Sequence, residues 1–347
     1  MKKHILVVDD NITNLKIAEK TLKDLYKVTL LVSATQTFKF LEKNKPDLIL
    51  LDINMPHIDG YETIKKIKER EDLANIPVIF LTAQIDDESE VKGIELGAVD
   101  FIRKPFVPQS MLTRIKLHLD VKGYKEELQE MVREKTEMIE QLQDIMILSL
   151  AELVECRDEN TGGHVKRTAK YVEILTKALI EEKVYDDILT PEYAQDLIRS
   201  APLHDVGKIG ISDATLLKAT SLDQDEFEYM KQHTSLGANT LQKMIDATNN
   251  KSFLCIAKDI AHYHHEKWNG KGYPEGLKGE EIPICARIMA IGDVYDALTT
   301  KRPYKEPFSH EEAMDIIING KGTSFDPKIV DVLERRHTDF LIVKEET

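Results

Sequence analysis

The stretch ILVVDD (residues 5–10) sets four apolar side chains directly before two acidic ones. An uninterrupted apolar run of this length is typical of a β-strand that is buried on both faces. Four more such runs follow, each separated from the last by a segment with the periodicity of an amphipathic helix: VTLLV (28–32), DLILL (47–51), PVIFLT (77–82) and VDFI (99–102). This alternation of strand and helix predicts a doubly wound α/β domain with a five-stranded parallel sheet.

Polar residues stand at the carboxyl ends of these predicted strands. Asp9 and Asp10 follow the first strand, Asp52 follows the third, Thr82 ends the fourth, and Lys104 follows the fifth. In a doubly wound sheet, ligands bind at this edge. Three carboxylates gathered there would repel one another unless a cation joined them, and hard oxygen ligands favour Mg²⁺. Solvated loop acids are the alternative, but they would not explain why all these residues share one edge.

Residues 121–148 carry dense charge and no proline, and their apolar residues recur in heptads. The two seam positions of the heptad are held by Val121, Leu128, Lys135, Leu142 and Ser149, and by Tyr124, Met131, Met138 and Ile145. The pattern predicts a helical connector that forms a homodimer through a coiled coil. A lone helix packed on a flanking domain stays the alternative, because Lys135 and Ser149 interrupt the apolar seam.

From residue 150 onward the apolar periodicity is helical throughout, which predicts an all-α domain. Histidines and aspartates recur in it at wide intervals: His164, His204 with Asp205, His233, His264 with His265, and Asp293. Each would come from a different helix, and imidazoles with carboxylates in a bundle core commonly hold first-row transition metals. Any one of these histidines, taken alone, is better explained as a hydrogen-bonded core residue or an exposed one.

The adjacent pair His204 and Asp205 is the most informative part of this set. Neighbouring residues on a helix point about 100° apart, so these two side chains cannot both serve one side of a single ion. Between two ions the geometry works, because the histidine binds one ion while the two carboxylate oxygens bridge both. Asp205 is therefore the predicted bridge of a two-metal site.

Composition limits the classes of function. The chain has 347 residues, enough for two domains, and a formal charge of −14, which argues against binding to nucleic acid or to a membrane surface. No apolar run approaches a transmembrane span, and the run after the first lysines is too short for a signal peptide. Three widely spaced cysteines suit a reducing compartment without disulfides. We therefore expect a cytoplasmic protein without membrane insertion.

Residues 1–120 resemble the response-regulator receiver domain of two-component signalling, through the acidic edge, LLDINMPHIDG (50–60) and RKPF (103–106). The resemblance implies a flavodoxin-like fold and phosphorylation by a sensor histidine kinase or a phosphotransfer protein. Asp52 would be the phosphoacceptor. Mg²⁺ would be held by Asp9, Asp10, Asp52 and the backbone of Asn54, and the switch residues would be Thr82, Phe101 and Lys104.

The helical half carries five motifs that occur in this order: RDENTGGH (157–164), HDVGKIGI (204–211), MKQHTSLG (230–237), HHEKWNGKGYP (264–274) and RIMAIGDVYDALTTKRPYK (287–305). Together they resemble the HD superfamily of metal-dependent phosphohydrolases, and within it the HD-GYP family of bacterial cyclic di-GMP phosphodiesterases. The resemblance covers essentially all of residues 150–335. It implies an all-α domain that hydrolyses a phosphodiester with two divalent transition metals, Fe or Mn.

The resemblance also assigns roles to residues. One metal would be held by His164, His204, Asp205 and Asp293, and the other by Asp205, His233, His264 and His265. Asp205 and Lys208 would take part in catalysis. Phosphate would be contacted by Lys208, Arg302 and Lys305.

This chain departs from the family pattern at two positions. Members that bind a third metal have a glutamate where Asn160 stands, and Glu159 would be rotated off that face, so we expect two metals. Asn269 stands where the family usually has aspartate; this removes a charge from the loop but no assigned ligand, so we expect activity to survive. Tyr273 is expected to shape that loop, and His262 is expected to face away from the metals.

The predicted organisation is a receiver domain at 1–120, a helical linker at 121–148 and an HD-GYP domain at 149–347. The predicted function is a phosphorylation-regulated cyclic di-GMP phosphodiesterase that yields pGpG, with further cleavage to GMP left open. One alternative is a non-catalytic response regulator that binds a nucleotide or a protein. Another is a phosphodiesterase for a different cyclic dinucleotide, such as cyclic GMP-AMP.

Overall fold

The computed structural model describes residues 2–83, 87–157, 163–218, 220–248, 252–301 and 306–346. The chain divides into two compact units, Met1–Glu137 and Met138–Thr347. No helix in the described ranges is both long enough and apolar enough to cross a membrane.

The first unit is built on a five-stranded parallel sheet with the strand order β2-β1-β3-β4-β5. The strands are β1 (His4–Val8), β2 (Lys27–Leu31), β3 (Leu48–Asp52), β4 (Val78–Thr82) and β5 (Asp100–Arg103). The helices between them are α1 (Ile12–Leu22), α2 (Ala34–Leu41), α3 (Gly60–Lys68) and α4 (Asp87–Glu95). The predicted doubly wound fold is confirmed.

Each strand of the sheet supplies side chains to two separate cores. Leu6 and Val8 pack in the core on one face, and Ile5 and Val7 pack in the core on the other. Because successive side chains on a strand point to opposite faces, continuous apolar runs are what a sheet covered on both sides requires.

Helix α5 (Pro108–Glu155) is a single helix of 48 residues. It begins inside the predicted receiver domain and passes through Gly123 without a break. The predicted boundaries after residues 120 and 148 therefore fall inside one helix, and they stay predictions.

The second unit is helical. After the end of α5 it contains α6 (His164–Glu181), α7 (Pro191–Ser200), α8 (Asp213–Leu216), α9 (Gln224–Asp246), α10 (Ser252–Tyr263), α11 (Ile284–Thr299), α12 (His310–Asn319) and α13 (Pro327–Glu346). Short 3₁₀ segments lie at Ala201–Leu203, Val206–Gly210 and Gly279–Glu281. The predicted all-α output domain is confirmed.

Three buried aromatic rings pack together in the main core of this unit. The ring centroid of Tyr171 lies 5.0 Å from that of Tyr295 and 4.6 Å from that of Phe340.

The start of α9 is fixed by local hydrogen bonds, because Asp223 and Glu226 form a capping box there. Such caps satisfy backbone N–H groups that have no partner within the helix.

Candidate metal centre

The acidic edge of the first unit gathers the predicted magnesium ligands. Carboxylate oxygens of Asp9, Asp10 and Asp52 lie within 4.8 Å of one another. The Nζ of Lys104 lies 2.7 Å from Asp9 Oδ2 and 2.7 Å from Asp52 Oδ1. Burial raises the pKa of Asp52, against the opposing hydrogen bonds from Lys104 and from the backbone N–H of Asn54. This edge offers the oxygen ligands that Mg²⁺ prefers.

The three predicted switch residues lie in two environments. Thr82 is buried at the end of β4, and its carbonyl oxygen accepts a hydrogen bond from the N–H of Lys104 (2.7 Å). Phe101 is buried in the core, with its ring centroid 5.7 Å from that of Phe80. The structure thus brings Thr82 and Lys104 to the acidic edge, while Phe101 packs inside the domain.

In the second unit, Asp205 lies between two 3₁₀ segments, where the chain comes very close to α9. A Cβ on Gly207 would lie 1.9 Å from the carbonyl oxygen of His233 and 2.4 Å from the backbone nitrogen of Gly237. Only glycine allows this approach, since any side chain would overlap backbone atoms. The approach places Asp205 next to His233, although the two residues are far apart in sequence.

The two oxygens of Asp205 face two different groups of histidines. The first group contains Asp205, His233, His264 and His265, whose nearest ligand atoms all lie within 4.8 Å of one another. Asp205 Oδ1 lies 3.4 Å from His233 Nε2 and 3.7 Å from His264 Nε2. Asp205 comes from between the two 3₁₀ segments, His233 from α9, and His264 and His265 from the turn after α10.

The second group contains His164, His204 and Asp205. His204 Nε2 lies 3.4 Å from Asp205 Oδ2 and 3.3 Å from His164 Nε2. Asp293, on α11, places Oδ1 3.7 Å from His164 Nε2, on the border of this group. The structure therefore brings together all seven residues that the resemblance assigned to the metals.

Hydrogen bonds on the far side of the rings fix how four histidines are oriented. Three Nδ1 atoms donate to backbone carbonyl oxygens: His204 to Ala201 (3.0 Å), His233 to Met230 (2.8 Å) and His264 to Ile260 (2.9 Å). The Nδ1 of His164 donates to Asp296 Oδ2 (2.7 Å). Because Nδ1 carries the proton, Nε2 presents its lone pair to the site, as in metal-binding histidines.

The polar atoms in the first group fit a cation. Asp205 Oδ1, His233 Nε2 and His264 Nε2 are buried and have no hydrogen-bond partner among the described residues. Three acceptors that converge without a proton between them would be costly to bury, and a divalent transition metal with nitrogen and oxygen ligands removes that cost. The residues present thus fit the metals that the fold implies.

The protonation states of Asp205 and of three of the histidines also suit metal binding. Burial lowers the pKa of His264 to about 3 and lowers the pKa values of His233 and His265. Burial acts in the same direction on His204, but the Asp205 carboxylate outweighs it and raises the pKa. Burial alone would raise the pKa of Asp205, yet Lys208 and His204 hold it well below its usual range. Neutral imidazoles and an ionised carboxylate are the forms that bind metals.

Comparison with known proteins identifies the family. A model of the HD domain matches residues 149–329, and a model of the response regulator receiver domain matches residues 5–116. The chain belongs to the HD-domain family, with a receiver domain in front. The HD domain is that of a divalent-metal-dependent hydrolase, and receiver domains typically bind Mg²⁺. The predicted family and fold are confirmed.

Three curated relatives show how far the similarity extends. The chain is 41% identical to a probable cyclic di-GMP phosphodiesterase of Vibrio cholerae serotype O1 over 350 residues, which cover 98% of this chain and 79% of that protein. It is 31% identical to the cyclic di-GMP phosphodiesterase response regulator RpfG of Xanthomonas campestris pv. campestris, over 96% of this chain and 87% of that protein. It is also 39% identical to the 3'3'-cGAMP-specific phosphodiesterase 2 of Vibrio cholerae serotype O1, over 57% of this chain and 36% of that protein.

Of the predicted phosphate contacts in the HD domain, the structure describes one. Lys208 Nζ lies 2.8 Å from Asp205 Oδ2, because the 3₁₀ segment brings residue 208 back over residue 205. Arg302 and Lys305 lie outside the described residues. So do Glu159 and Asn160, the positions that bear on a third metal.

Two residues that hold His164, Asp296 and Arg167, were not predicted from the sequence. Asp296 accepts hydrogen bonds from His164 Nδ1 (2.7 Å) and Arg167 Nε (2.6 Å), and all three side chains are buried. A signal was present, because Asp296 lies three residues after Asp293 in GDVYD and so lies on the same face of α11. The arginine gave no signal, since the motifs do not reveal which face of α6 it occupies.

The loop that follows His264 and His265 is ordered by its own polar groups. Glu266 is buried, and its Oε1 accepts hydrogen bonds from the backbone N–H of Glu275 (2.7 Å) and Gly276 (2.9 Å). The ring of Tyr273 lies 4.8 Å from that of His265. The Oδ1 of Asn269 accepts a hydrogen bond from the N–H of Lys271 (2.9 Å). An amide oxygen can thus make this turn contact in place of an aspartate.

His262 was expected to face away from the metals. Its Nε2 lies 3.3 Å from Glu275 Oε1, and it belongs to neither metal-binding group. Its position on α10, two residues before His264, accounts for this difference in direction.

Proposed function

We propose that this protein is a metal-dependent cyclic di-GMP phosphodiesterase whose activity is controlled by phosphorylation of Asp52. The observation that carries the proposal is the position of Asp205, whose two oxygens face separate histidine groups at 3.4 Å each, His233 on one side and His204 on the other. A carboxylate whose two oxygens face separate groups of ligands can serve two metal ions, as a two-metal phosphodiesterase site requires. The named activities of the full-length relatives support the same substrate class.

The residues of the HD domain would have separate roles in hydrolysis: some would hold the metals and others would contact the phosphate. We assign one metal, Fe or Mn, to His164, His204, Asp205 and Asp293, and the other to Asp205, His233, His264 and His265. When bound, the two ions supply an activated water and neutralise charge on the phosphate. Lys208, held beside Asp205, is placed to donate to a phosphate oxygen, and Arg302 and Lys305 would add further phosphate contacts.

The burial of the imidazoles serves the same chemistry. Because the pKa values of His233, His264 and His265 are lowered, these rings stay neutral at neutral pH, and His233 and His264 keep Nε2 free for a metal. The expected product is linear pGpG, with cleavage to GMP as a second round at the same site.

We further propose that the receiver domain regulates this reaction. A sensor histidine kinase or a phosphotransfer protein would phosphorylate Asp52, with Mg²⁺ bound by Asp9, Asp10, Asp52 and the backbone of Asn54. Lys104 and Thr82 would follow the phosphoryl group, which adds negative charge and three acceptor oxygens. The connector part of α5 would form a homodimer in the cytoplasm, and the change would pass along it.

The experiment that tests the activity uses the full chain loaded anaerobically with Fe²⁺ or with Mn²⁺. The loaded protein is incubated with cyclic di-GMP, and the products are separated by chromatography. We expect pGpG or GMP to appear, and we expect Asp205→Ala to lower the rate by at least about 100-fold, because both metals lose their shared ligand and even groups that only orient ligands contribute about 10- to 100-fold. The proposal would be contradicted if cyclic di-GMP stayed unchanged both with the Fe²⁺-loaded protein and with the Mn²⁺-loaded protein.

A second substrate has a specific reason to be tested. The chain is 39% identical to a 3'3'-cGAMP-specific phosphodiesterase over 200 residues. The residues assigned to phosphate do not distinguish guanine from adenine. The same assay with 3'3'-cGAMP therefore decides between the two, and a rate ratio above about 10 in either direction assigns the substrate.

A further inference from the structure

The C-terminal end of α5 borders the candidate metal site. A cavity of about 20 Å³, with room for about one water, is lined by residues from both. Its lining includes Ala151, Val154, Glu155, His164, Asp205 and Lys208. The last turns of the connector helix are thus in direct contact with the residues that would hold the ions.

Glu155, the last residue of α5, holds the start of α6. Its Oε1 accepts a hydrogen bond from the backbone N–H of His164 (2.9 Å), and its Oε2 accepts one from the N–H of Val165 (3.4 Å). The first N–H groups of a helix have no partner within the helix, so an acceptor from elsewhere fixes them. Glu155 therefore fixes the backbone from which the His164 ring projects.

Arg157, two residues further on, holds the segment that follows Asp205. Its guanidinium donates to the carbonyl oxygens of Ile209 (2.8 Å) and Ile211 (3.2 Å), and to Asp213 Oδ1 (2.6 Å). The planar fork of arginine can serve several acceptors at once, which the ammonium of lysine cannot match in geometry. Arg157 thus fixes the 3₁₀ segment that carries Lys208 and begins next to Asp205.

We propose that Glu155 and Arg157 are positioning residues that set the distance between His164 and Asp205, and through it the geometry of the second group (His164, His204 and Asp205). This inference rests on the proposed two-metal function. Helix α5 ends at Glu155, so the contacts of Glu155 and Arg157 lie at its end and just beyond it. Any rotation or shift of that end moves His164 through one contact and Asp205 through the other.

The chain offers a matched control for each residue. Glu152 also joins α5 to α6, but through an ion pair with the Lys166 side chain (2.7 Å) that touches no metal-site backbone. Arg199 also binds the connector, through Asp144 (2.6 Å), and contacts no predicted ligand. Glu152→Gln and Arg199→Ala therefore remove contacts of the same kind to α5 and spare the site.

Metal binding tests the positioning role directly. The affinity and stoichiometry of Mn²⁺ are measured on the full chain by competition with a fluorescent chelator. We expect Glu155→Gln and Arg157→Ala to weaken one of the two ions by about 10- to 100-fold, the range found for groups that orient ligands, and to leave the other ion in place. Arg157→Lys should fall between Arg157→Ala and the parent. Two ions bound with unchanged affinity in both variants would overturn the proposal.

A second measurement separates positioning from a general loss of structure. The ratio of turnover with and without beryllofluoride, a mimic of the phosphoryl group on Asp52, is compared across the variants. A structural defect would lower both rates equally and leave the ratio unchanged, whereas loss of positioning moves the ratio toward one. We expect that movement in Glu155→Gln and Arg157→Ala, but not in Glu152→Gln or Arg199→Ala. Equal ratios in all four would overturn the link to the connector. If the parent hydrolyses no cyclic dinucleotide, the proposed function fails, and the Mn²⁺ titration still decides the positioning role.

Discussion

Asp205 lies between two groups of histidines, and its two oxygens face different groups. The adjacency of His204 and Asp205 in the sequence predicted such a division, because neighbouring residues cannot point at one side of one ion. The sequence did not predict Asp296 and Arg167, which hold His164 from behind. The residue types that bind a metal can be read from a motif, whereas the orientation of each ligand depends on the packing of helices that are far apart in the sequence.

Lys208 contributes to the electrostatics of the same site. Its ammonium lies 2.8 Å from Asp205 Oδ2 and helps to hold the pKa of that carboxylate well below its usual range. We expect Lys208→Gln to bind two Mn²⁺ ions and to lose about 100-fold in turnover, since a fixed cation near the phosphate is removed while the ligands stay. Turnover and Mn²⁺ stoichiometry are measured together, with Lys243→Gln on the exposed face of α9 as the control. Full turnover in Lys208→Gln would remove Lys208 from the proposed mechanism.

At the scale of elements, the type of each helix and strand followed from periodicity, but two features did not. A glycine within a helical pattern is a common place for a helix to end, yet α5 passes through Gly123. A helical glycine costs only about 1 kcal/mol relative to alanine, which is too little to end a helix of 48 residues. Gly207, in contrast, is required by a contact with α9 that no local pattern reveals.

These two glycines give opposite predictions. A Cβ at residue 207 would lie 1.9 Å from a backbone oxygen, so Gly207→Ala should lower the free energy of unfolding by about 1–3 kcal/mol and move Asp205 away from His233. A Cβ at residue 123 would meet no atom within 4 Å, so Gly123→Ala should raise stability by about 1 kcal/mol. Urea unfolding and Mn²⁺ stoichiometry are measured on both. Normal metal binding in Gly207→Ala would show that the close approach is dispensable.

The contact between α12 and α13 predicts a dependence of stability on pH. Tyr295 OH and His310 Nδ1 share a hydrogen bond (2.6 Å), and His310 Nε2 lies 2.9 Å from His337 Nδ1. Burial, followed by His337, lowers the pKa of His310 from its usual 6.5. A lowered histidine pKa means that the unfolded chain binds the proton more tightly. Stability is therefore complete above about pH 6.5 and falls as the pH drops toward the folded-state pKa.

The variant His310→Phe isolates this contribution, because the other histidines remain in both proteins. The free energy of unfolding of the metal-free chain is measured in urea at pH 7.5 and at pH 5.5. We expect the parent to lose more stability than the variant over this interval, by at most about 1.4 kcal/mol per pH unit. Parallel losses would show that His310 is not kept neutral by its surroundings.

At the scale of the whole molecule, the order of the motifs along the chain was enough to predict both domains and the family. It did not predict how the proposed phosphorylation of Asp52 would alter the HD domain, because in our proposal that depends on how the connector ends. Glu155 and Arg157 lie inside or beside motifs that the family resemblance covers, but their partners, the backbone of His164 and of Ile209, are visible only in three dimensions. Residues that would couple the connector to the HD domain are therefore identified by their backbone contacts in the structure, rather than by the motifs alone.

The connector carries the last prediction, which concerns its partner. Its seam residues are exposed in the single chain, with Leu128 60%, Leu142 50% and Ile145 60% accessible to solvent. A second copy of the same helix would bury this apolar seam, which is the usual driving force for a coiled coil. We expect a dimer in light scattering coupled to size exclusion, and a monomer for Leu142→Lys. Glu140→Lys, a charge change of the same direction outside the seam, should stay dimeric. A parent that is monomeric at all concentrations would show that the seam packs within one chain or stays solvated.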